Sequence, residues 1–363
     1  MTLKIGILEG DYIGPEIMAE ALKVLRALMQ KRGLGVELVP LEASGKAFDK
    51  YGQHLPQHTL DLAATCHALL KGPFGGPTEE ISHPKWSGIE RGAILPLRRH
   101  FNLYANLRES KVFNSLIHLS PLKQEVIDGV NILIVRELTG GIYFGEQREA
   151  VVNGEREWSD VETYSESEIR RIVITGFKCA MQRRKKLTLV AKSNILKSSI
   201  LWREVFNEVA NEYPEVTTDY QHVDNASMQL VLNPRQFDVI VTSNMFGDIL
   251  SDEAAVLPGS IGLLPSASLG ESQFGLYEPI HGSAPTIAGK NMANPLSMIL
   301  CIPLMLHYTF NMKDEAALVE NAVDAVLKLG YRTKDLFAAS DDPSKVLGTV
   351  EFGDAVVAQV NKA

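Results

Sequence analysis

Cysteine is scarce in this 363-residue chain, which has three, and Cys66, Cys179 and Cys301 stand far apart. That spacing makes no metal-binding set. An odd, scattered count excludes a disulfide framework and fits reduced thiols, each a small core residue. A positive surplus is missing too. Against 36 basic residues stand 44 acidic ones, for a net charge of −8, which argues against a nucleic-acid partner held by backbone electrostatics. Small anions are not excluded, because a few local arginines suffice to bind them. No uninterrupted apolar run approaches the roughly 20 residues of a membrane helix, and no apolar signal core precedes the first strand pattern. The expectation is a cytoplasmic protein with no membrane partner. Internal repeats and low-complexity segments are absent. So is any G-x-G-x-x-G, the usual dinucleotide fingerprint, and the fold expected is not a Rossmann fold of that type.

What is present is a large apolar share, 45%, on a chain long enough for two domains. Apolar strand patterns alternate with helical spacing, which predicts an α/β fold. Lys4-Ile5-Gly6-Ile7-Leu8 reads as a buried strand and Pro15 as a first helical residue. Ile17, Ala21, Val24, Leu25 and Leu28 fall on one helix face. Residues 36–41 and 68–70 are further strands, and an irregular stretch to Ile89 hints at a binding loop. Ser165 and Glu168 have capping-box spacing ahead of a helix with Ile169, Ile172, Val173, Gly176, Phe177, Ala180 and Met181 on one face. Arg183-Arg184-Lys185-Lys186 closes that helix and suits its C-terminal dipole. Ser198 or Ser199 offers a cap for the next helix, over 200–213.

The chain organises itself around residues 237–252. Val239-Ile240-Val241-Thr242 reads as a buried strand, Ser243-Asn244 as a joint, and Asp248 and Asp252 sit four apart on the following helix. That spacing stacks two carboxylates on one face, where they repel unless a cation lies between them. A hard cation takes such oxygen ligands; the competing reading is that the aspartates merely favour the positive end of a helix dipole. Elsewhere, Ile94 and Leu95 lie one turn before Arg98, and Arg136 ends an apolar strand. Converging arginine forks suit a di-acid, although a surface salt bridge is the commoner fate of any one arginine. Arg136, Lys192, Asp224 and the Asp248/Asp252 pair all follow apolar strands, at the ends where α/β sheets bind ligands. This shared placement favours the functional reading for the group.

Five stretches then carry a likeness: ERGAILPLR (90–98) with NLYANLR (102–108), TGGIYFG (139–145), VDNASMQL (223–230), NMFGDILSDE (244–253) and EPIHGSAPTIAGKNMANP (278–295). In that order and spacing the chain resembles, essentially end to end, the β-decarboxylating dehydrogenase family. That family acts on isopropylmalate, isocitrate, homoisocitrate, tartrate or D-malate, and the likeness is strongest to its isopropylmalate branch. The resemblance implies two α/β domains with a cleft between them. One is a cofactor domain, 1–102 plus 258–363. The other is a substrate, metal and dimerisation domain, 103–257, with a protruding arm near 145–165. It implies that Arg98, Arg108 and Arg136 bind the carboxylates of a 2-hydroxy diacid, and that Ile94 and Leu95 contact its branched substituent. Tyr143 and Lys192 are the implied acid/base pair. Asp224, Asp248 and Asp252 are the implied ligands of Mg²⁺ or Mn²⁺, with Asp224 also touching substrate. Gly75, Gly76 and Glu90 would reach the nicotinamide. Glu278, His281, Gly282, Ser283, Ala284, Pro285, Thr286, Ile287 and Asn294 would hold the adenosine side of NAD. A homodimer is implied, with Lys192 and Asp224 lent to the partner's site. The reaction implied is oxidation at C2 with loss of the β-carboxylate as CO₂, a step of leucine biosynthesis.

Three positions depart from the family pattern. Tyr12 stands where GDGIGPE has its middle glycine. Ile94 stands where many members have leucine. Thr286 stands where NAD-preferring members carry an aspartate that bonds the ribose and repels a 2′-phosphate. No lysine or arginine replaces that aspartate in sequence, so NAD stays the expected cofactor. The apolar Ala93-Ile94-Leu95 favours isopropylmalate over a third carboxylate. A D-malate or tartrate enzyme is the alternative within the family. A non-catalytic ligand-binding regulatory subunit is the alternative outside it.

Overall fold

A computed structural model gives the architecture over residues 2–362. The chain forms two compact units. A terminal unit comprises Met1–Leu103, Phe113–Pro121 and Pro258–Ala363; a central unit comprises Tyr104–Val112 and Leu122–Leu257.

The terminal unit begins with β1 (Thr2–Leu8) and α1 (Gly14–Arg32), which has a proline in its first turn, where a missing N–H costs nothing. The five apolar residues of its predicted face are fully buried. β2 (Gly35–Leu41), α2 (Ser44–Tyr51), α3 (Gln57–Ala63) and β3 (Ala68–Lys71) follow. The two helices are too short for periodicity to declare them. After β3 the chain runs through turns to Glu90–Ile94, which winds as a π-helix into α4 (Leu95–His100). Such widened turns recur at functional sites.

The central unit takes β4 (Ala105–Lys111), α5 (Gln124–Ile127) and β5 (Asn131–Glu137). The hairpin β6 (Gln147–Val152) and β7 (Glu155–Asp160) stands where weak alternation predicts one. α6 (Glu166–Met181) has both halves of its capping box, and its predicted face is buried except Met181, which is 36% exposed. The basic run lies beyond the end of this helix and pairs with acids rather than serving its dipole. Arg183 reaches Asp238 at 3.0 Å and Glu109 at 3.1 Å, and Lys185 reaches Glu215 at 2.6 Å. β8 (Lys186–Ala191) leads to α7 (Lys197–Ala210), which neither serine caps. Ser198 donates to Glu162 instead, and Ser199 accepts from the Lys192 backbone N–H. β9 (Thr217–His222), α8 (Val223–Leu232), β10 (Val239–Thr242) and α9 (Asn244–Ala255) complete the unit.

Back in the terminal unit, the Pro/Gly-rich passage hides two buried strands, β11 (Pro265–Leu269) and β12 (Gly275–Pro279). α10 (Leu296–Tyr308) is apolar on nearly every side and buried, which suits a core helix. α11 (Lys313–Lys328) and α12 (Thr349–Lys362) pack with α1 and α10 around it.

The terminal unit's strands run β2-β1-β3-β12-β11 and the central unit's run β4-β5-β10-β8-β9. In each, neighbours are parallel except one antiparallel pair, β11 with β12 and β4 with β5. Parallel strands buried on both faces need apolar runs, and β3 and β10 are buried at every position. The register pairs Thr242 with Arg136, which brings the end of β5 beside the start of α9.

Candidate active site

α9 follows β10 after a single joint residue, Ser243, so its first turn stands at the carboxyl end of the central sheet. Asp248 and Asp252 share one face of it, as their spacing requires. Two arginines offset their repulsion. Arg136, 3% exposed at the end of β5, donates to Asp248 Oδ1. Arg108, on β4, donates to Asp252 Oδ1 at 2.9 Å and to Ser251 Oγ at 2.8 Å, and lies 3.6 Å from Asp248. Gly247 makes room for this cluster. A Cβ there would stand 2.7 Å from the Cβ and Cγ of Arg136.

Tyr143 ends a short 3-10 turn, Gly141–Tyr143, and donates its hydroxyl to Asp248 Oδ2 at 3.0 Å. Burial first, then the Asp248 charge and hydrogen bond, push its phenol pKa up, so it keeps its proton at neutral pH. At the end of β5, the buried Glu137 accepts from the backbone N–H groups of Thr139 and Gly140, at 2.9 and 2.8 Å. Lys192 follows β8 and donates to Asp224 Oδ1 at 2.6 Å, which holds the Asp224 carboxyl below its usual range.

Arg108, Arg136, Tyr143, Asp248 and Asp252 therefore come together, while Lys192 and Asp224 form a pair of their own. Among the described residues, no group of three acidic, histidine or cysteine side chains gathers as a metal site. The Asp248/Asp252 pair is an all-oxygen donor set with Asp252 exposed, and that chemistry fits a hard divalent cation.

In the terminal unit, Glu278 closes β12 between Lys71, which donates to its Oε2, and Arg98, 3.2 Å from its Oε1. Burial raises its pKa, yet the two cations override that and hold its carboxyl at about 2. Sequence reasoning missed Lys71. The only signal was a lysine at the end of a buried apolar strand. Ile94 and Leu95 are half-buried around the π-helical turn that Glu90 opens.

A cavity of about 380 Å³ lies between Ile13, Ile261, Ala284, Ile287 and Met292, with His281, Gly282, Asn294 and Asp335 among its lining residues. Burial holds the His281 imidazole pKa down, hence neutral, and its Nε2 is buried with no hydrogen-bond partner. An apolar slot with such an orphaned nitrogen fits a flat heteroaromatic base. Ser283 is buried beside this lining, and its carbonyl accepts from the N–H of Ile13, a lining residue, at 3.1 Å. Gly75, with φ +133°, donates to Asp11, and Gly76 packs under Trp86. Thr286, on the turn Pro285–Ile287, accepts from Lys290 Nζ at 2.8 Å through its carbonyl, so a cation does stand near the position that lacks the aspartate.

A family model described as isocitrate/isopropylmalate dehydrogenase matches residues 4–356. A 3-isopropylmalate dehydrogenase of Xanthomonas euvesicatoria is 53% identical over 99% of this chain and 99% of its own. One of Carboxydothermus hydrogenoformans is 51% identical, covering 98% and 94%. Among solved structures, an isocitrate dehydrogenase of Methylococcus capsulatus superposes with a TM-score of 0.86 at 37% identity, over 99% of both chains. A β-decarboxylating dehydrogenase of Thermococcus kodakarensis gives 0.79 at 31%, over 99% and 96%.

Proposed function

The chain belongs to the isocitrate/isopropylmalate dehydrogenase family, and from that premise we propose that it oxidises and decarboxylates (2R,3S)-3-isopropylmalate to 4-methyl-2-oxopentanoate and CO₂. NAD is the proposed oxidant, and leucine biosynthesis the proposed setting. The observation that supports this chemistry is the cluster of Arg108, Arg136 and Tyr143 around Asp248 of α9, with Asp252 on the same helix face. The half-buried Ile94 and Leu95 favour a branched apolar substituent over the third carboxylate of isocitrate.

Arg108 and Arg136 grip the carboxylates of the diacid through charge-assisted forks, and Arg98 is a further ligand of the same kind. Lys192, once neutral and released from its bond to Asp224, takes the C2 hydroxyl proton. Tyr143, whose phenol burial and Asp248 keep protonated, returns a proton to carbon after CO₂ departs. Asp248 and Asp252, with Asp224, would hold Mg²⁺ or Mn²⁺, which when bound polarises the C2 oxygen as a Lewis acid. His281 and Asn294 fix the adenine end of the cofactor, and Gly282, Ser283, Ala284, Pro285, Thr286 and Ile287 its ribose side.

A homodimer is part of the same proposal. Met228 and Leu232 on α8, Ile249 on α9 and Val256 just after it are each more than half exposed, and Trp158 on the hairpin is 68% exposed. Large apolar side chains on neighbouring helices suit a second copy. That reading accounts for Asp224 standing apart from the other two aspartates in a single chain.

The direct test follows NADH by absorbance. It should form only when isopropylmalate, a divalent cation and NAD are all present, and Lys192→Ala should abolish it while NADH still binds. NADH formation without the cation, or near-full turnover by the variant, contradicts the reading.

A further inference from the structure

Asn244, the first residue of α9, is 1% exposed, and its side-chain oxygen, side-chain nitrogen and backbone N–H each have a partner. Its Oδ1 accepts two bonds from Arg136, from Nε at 3.1 Å and Nη2 at 2.8 Å. Its Nδ2 donates to the carbonyl of Gly140 at 3.1 Å, and its backbone N–H donates to the Tyr164 hydroxyl at 2.9 Å. Tyr164 is itself fixed, edge-on against the buried Trp202. A Cβ on Gly141 would lie 2.2 Å from its hydroxyl oxygen. One buried amide therefore ties three parts of the site: the guanidinium of Arg136, the loop that carries Tyr143, and the helix that carries Asp248 and Asp252.

The geometry points to Asn244 as a positioning residue for the diacid reaction. It locks the Arg136 guanidinium in one plane through its Nε–Nη2 edge, and it sets the height of the Tyr143 loop through Gly140. A planar fork binds a carboxylate well in only one orientation, so its anchoring decides affinity. Asn244 touches no reacting atom in this account and acts through Arg136. The inference rests on the reading of Arg136 as a carboxylate ligand.

A double-mutant cycle on purified full-length enzyme tests it. Asn244→Ala should lower kcat/KM for isopropylmalate by roughly ten- to a hundredfold, mostly as a higher KM for the diacid. NADH affinity, read by fluorescence titration, should stay within about twofold. Combined with Arg136→Lys, the loss should be far from additive, with the double variant little worse than Arg136→Lys alone. Asn244→Leu is close to isosteric and removes the acceptor; where the alanine variant is not recovered folded, it should show the same non-additivity. Unchanged KM, or additive losses in the cycle, overturns the role of Asn244. If Arg136→Lys itself leaves KM unchanged, the reading of Arg136 falls first, and the two failures are told apart by that single variant.

Discussion

Glu278 shows how much a single side chain can hold. It is 7% exposed between two cations, and its carboxyl sits at about 2, below the roughly 4.3 of an unfolded chain. A folded value below the unfolded one means that the unfolded chain takes up the proton first. The stabilisation is therefore complete above about pH 4.5 and is lost as pH falls toward 2. Glu278→Gln leaves Lys71 and Arg98 without their counter-charge and should destabilise the protein by a few kcal/mol at neutral pH. Urea midpoints measured against pH should show the gap to the wild type closing below about pH 4.5. A gap that stays constant down to pH 2.5 would contradict the assignment. Residue-scale features of this kind were only half legible in the sequence. Arg98 and Glu278 stood out within motifs, but Lys71 lies 207 positions from its partner, and only the pairing of β3 with β12 brings them together. Gly247 was legible as part of a motif, but its reason, the passage of the Arg136 side chain, was not.

Elements were legible where local physics acts alone. α6 is the clearest case. Apolar spacing marks its face, and Ser165 with Glu168 forms the reciprocal cap. Ser165→Ala should cost about 1 kcal/mol, seen as a thermal midpoint lower by a few degrees, with kcat unchanged. A variant as stable as the wild type would mean that the cap contributes nothing. Where tertiary context decides, the sequence is silent or misleading. Ser198 and Ser199 look like caps but bond Glu162 and the Lys192 backbone instead. β11 and β12 are masked by prolines and glycines at their ends. The paired aspartates of α9 were legible as a pair. Their arginine partners were legible only as candidates, because β4 and β5 must first be set side by side.

For the molecule as a whole, each unit repeats one plan, a mostly parallel sheet with one antiparallel pair, and each contributes a different kind of chemistry. The central unit holds Arg108, Arg136, Tyr143, Lys192, Asp224, Asp248 and Asp252, and the terminal unit holds Arg98, paired with Glu278, and the cavity lined by His281 and Asn294. Asp224 does not gather with Asp248 and Asp252 among the described residues, and under the proposed homodimer that separation would tie activity to assembly. Specific activity should fall on dilution in step with dissociation followed by sedimentation, and full activity in a demonstrated monomer would rule out shared sites. The central claim is the substrate. kcat/KM for isopropylmalate, isocitrate, D-malate and tartrate, each with NAD and with NADP, tests it most directly. The account predicts that isopropylmalate with NAD exceeds every other combination and yields 4-methyl-2-oxopentanoate. Equal or better turnover of D-malate or isocitrate would contradict it.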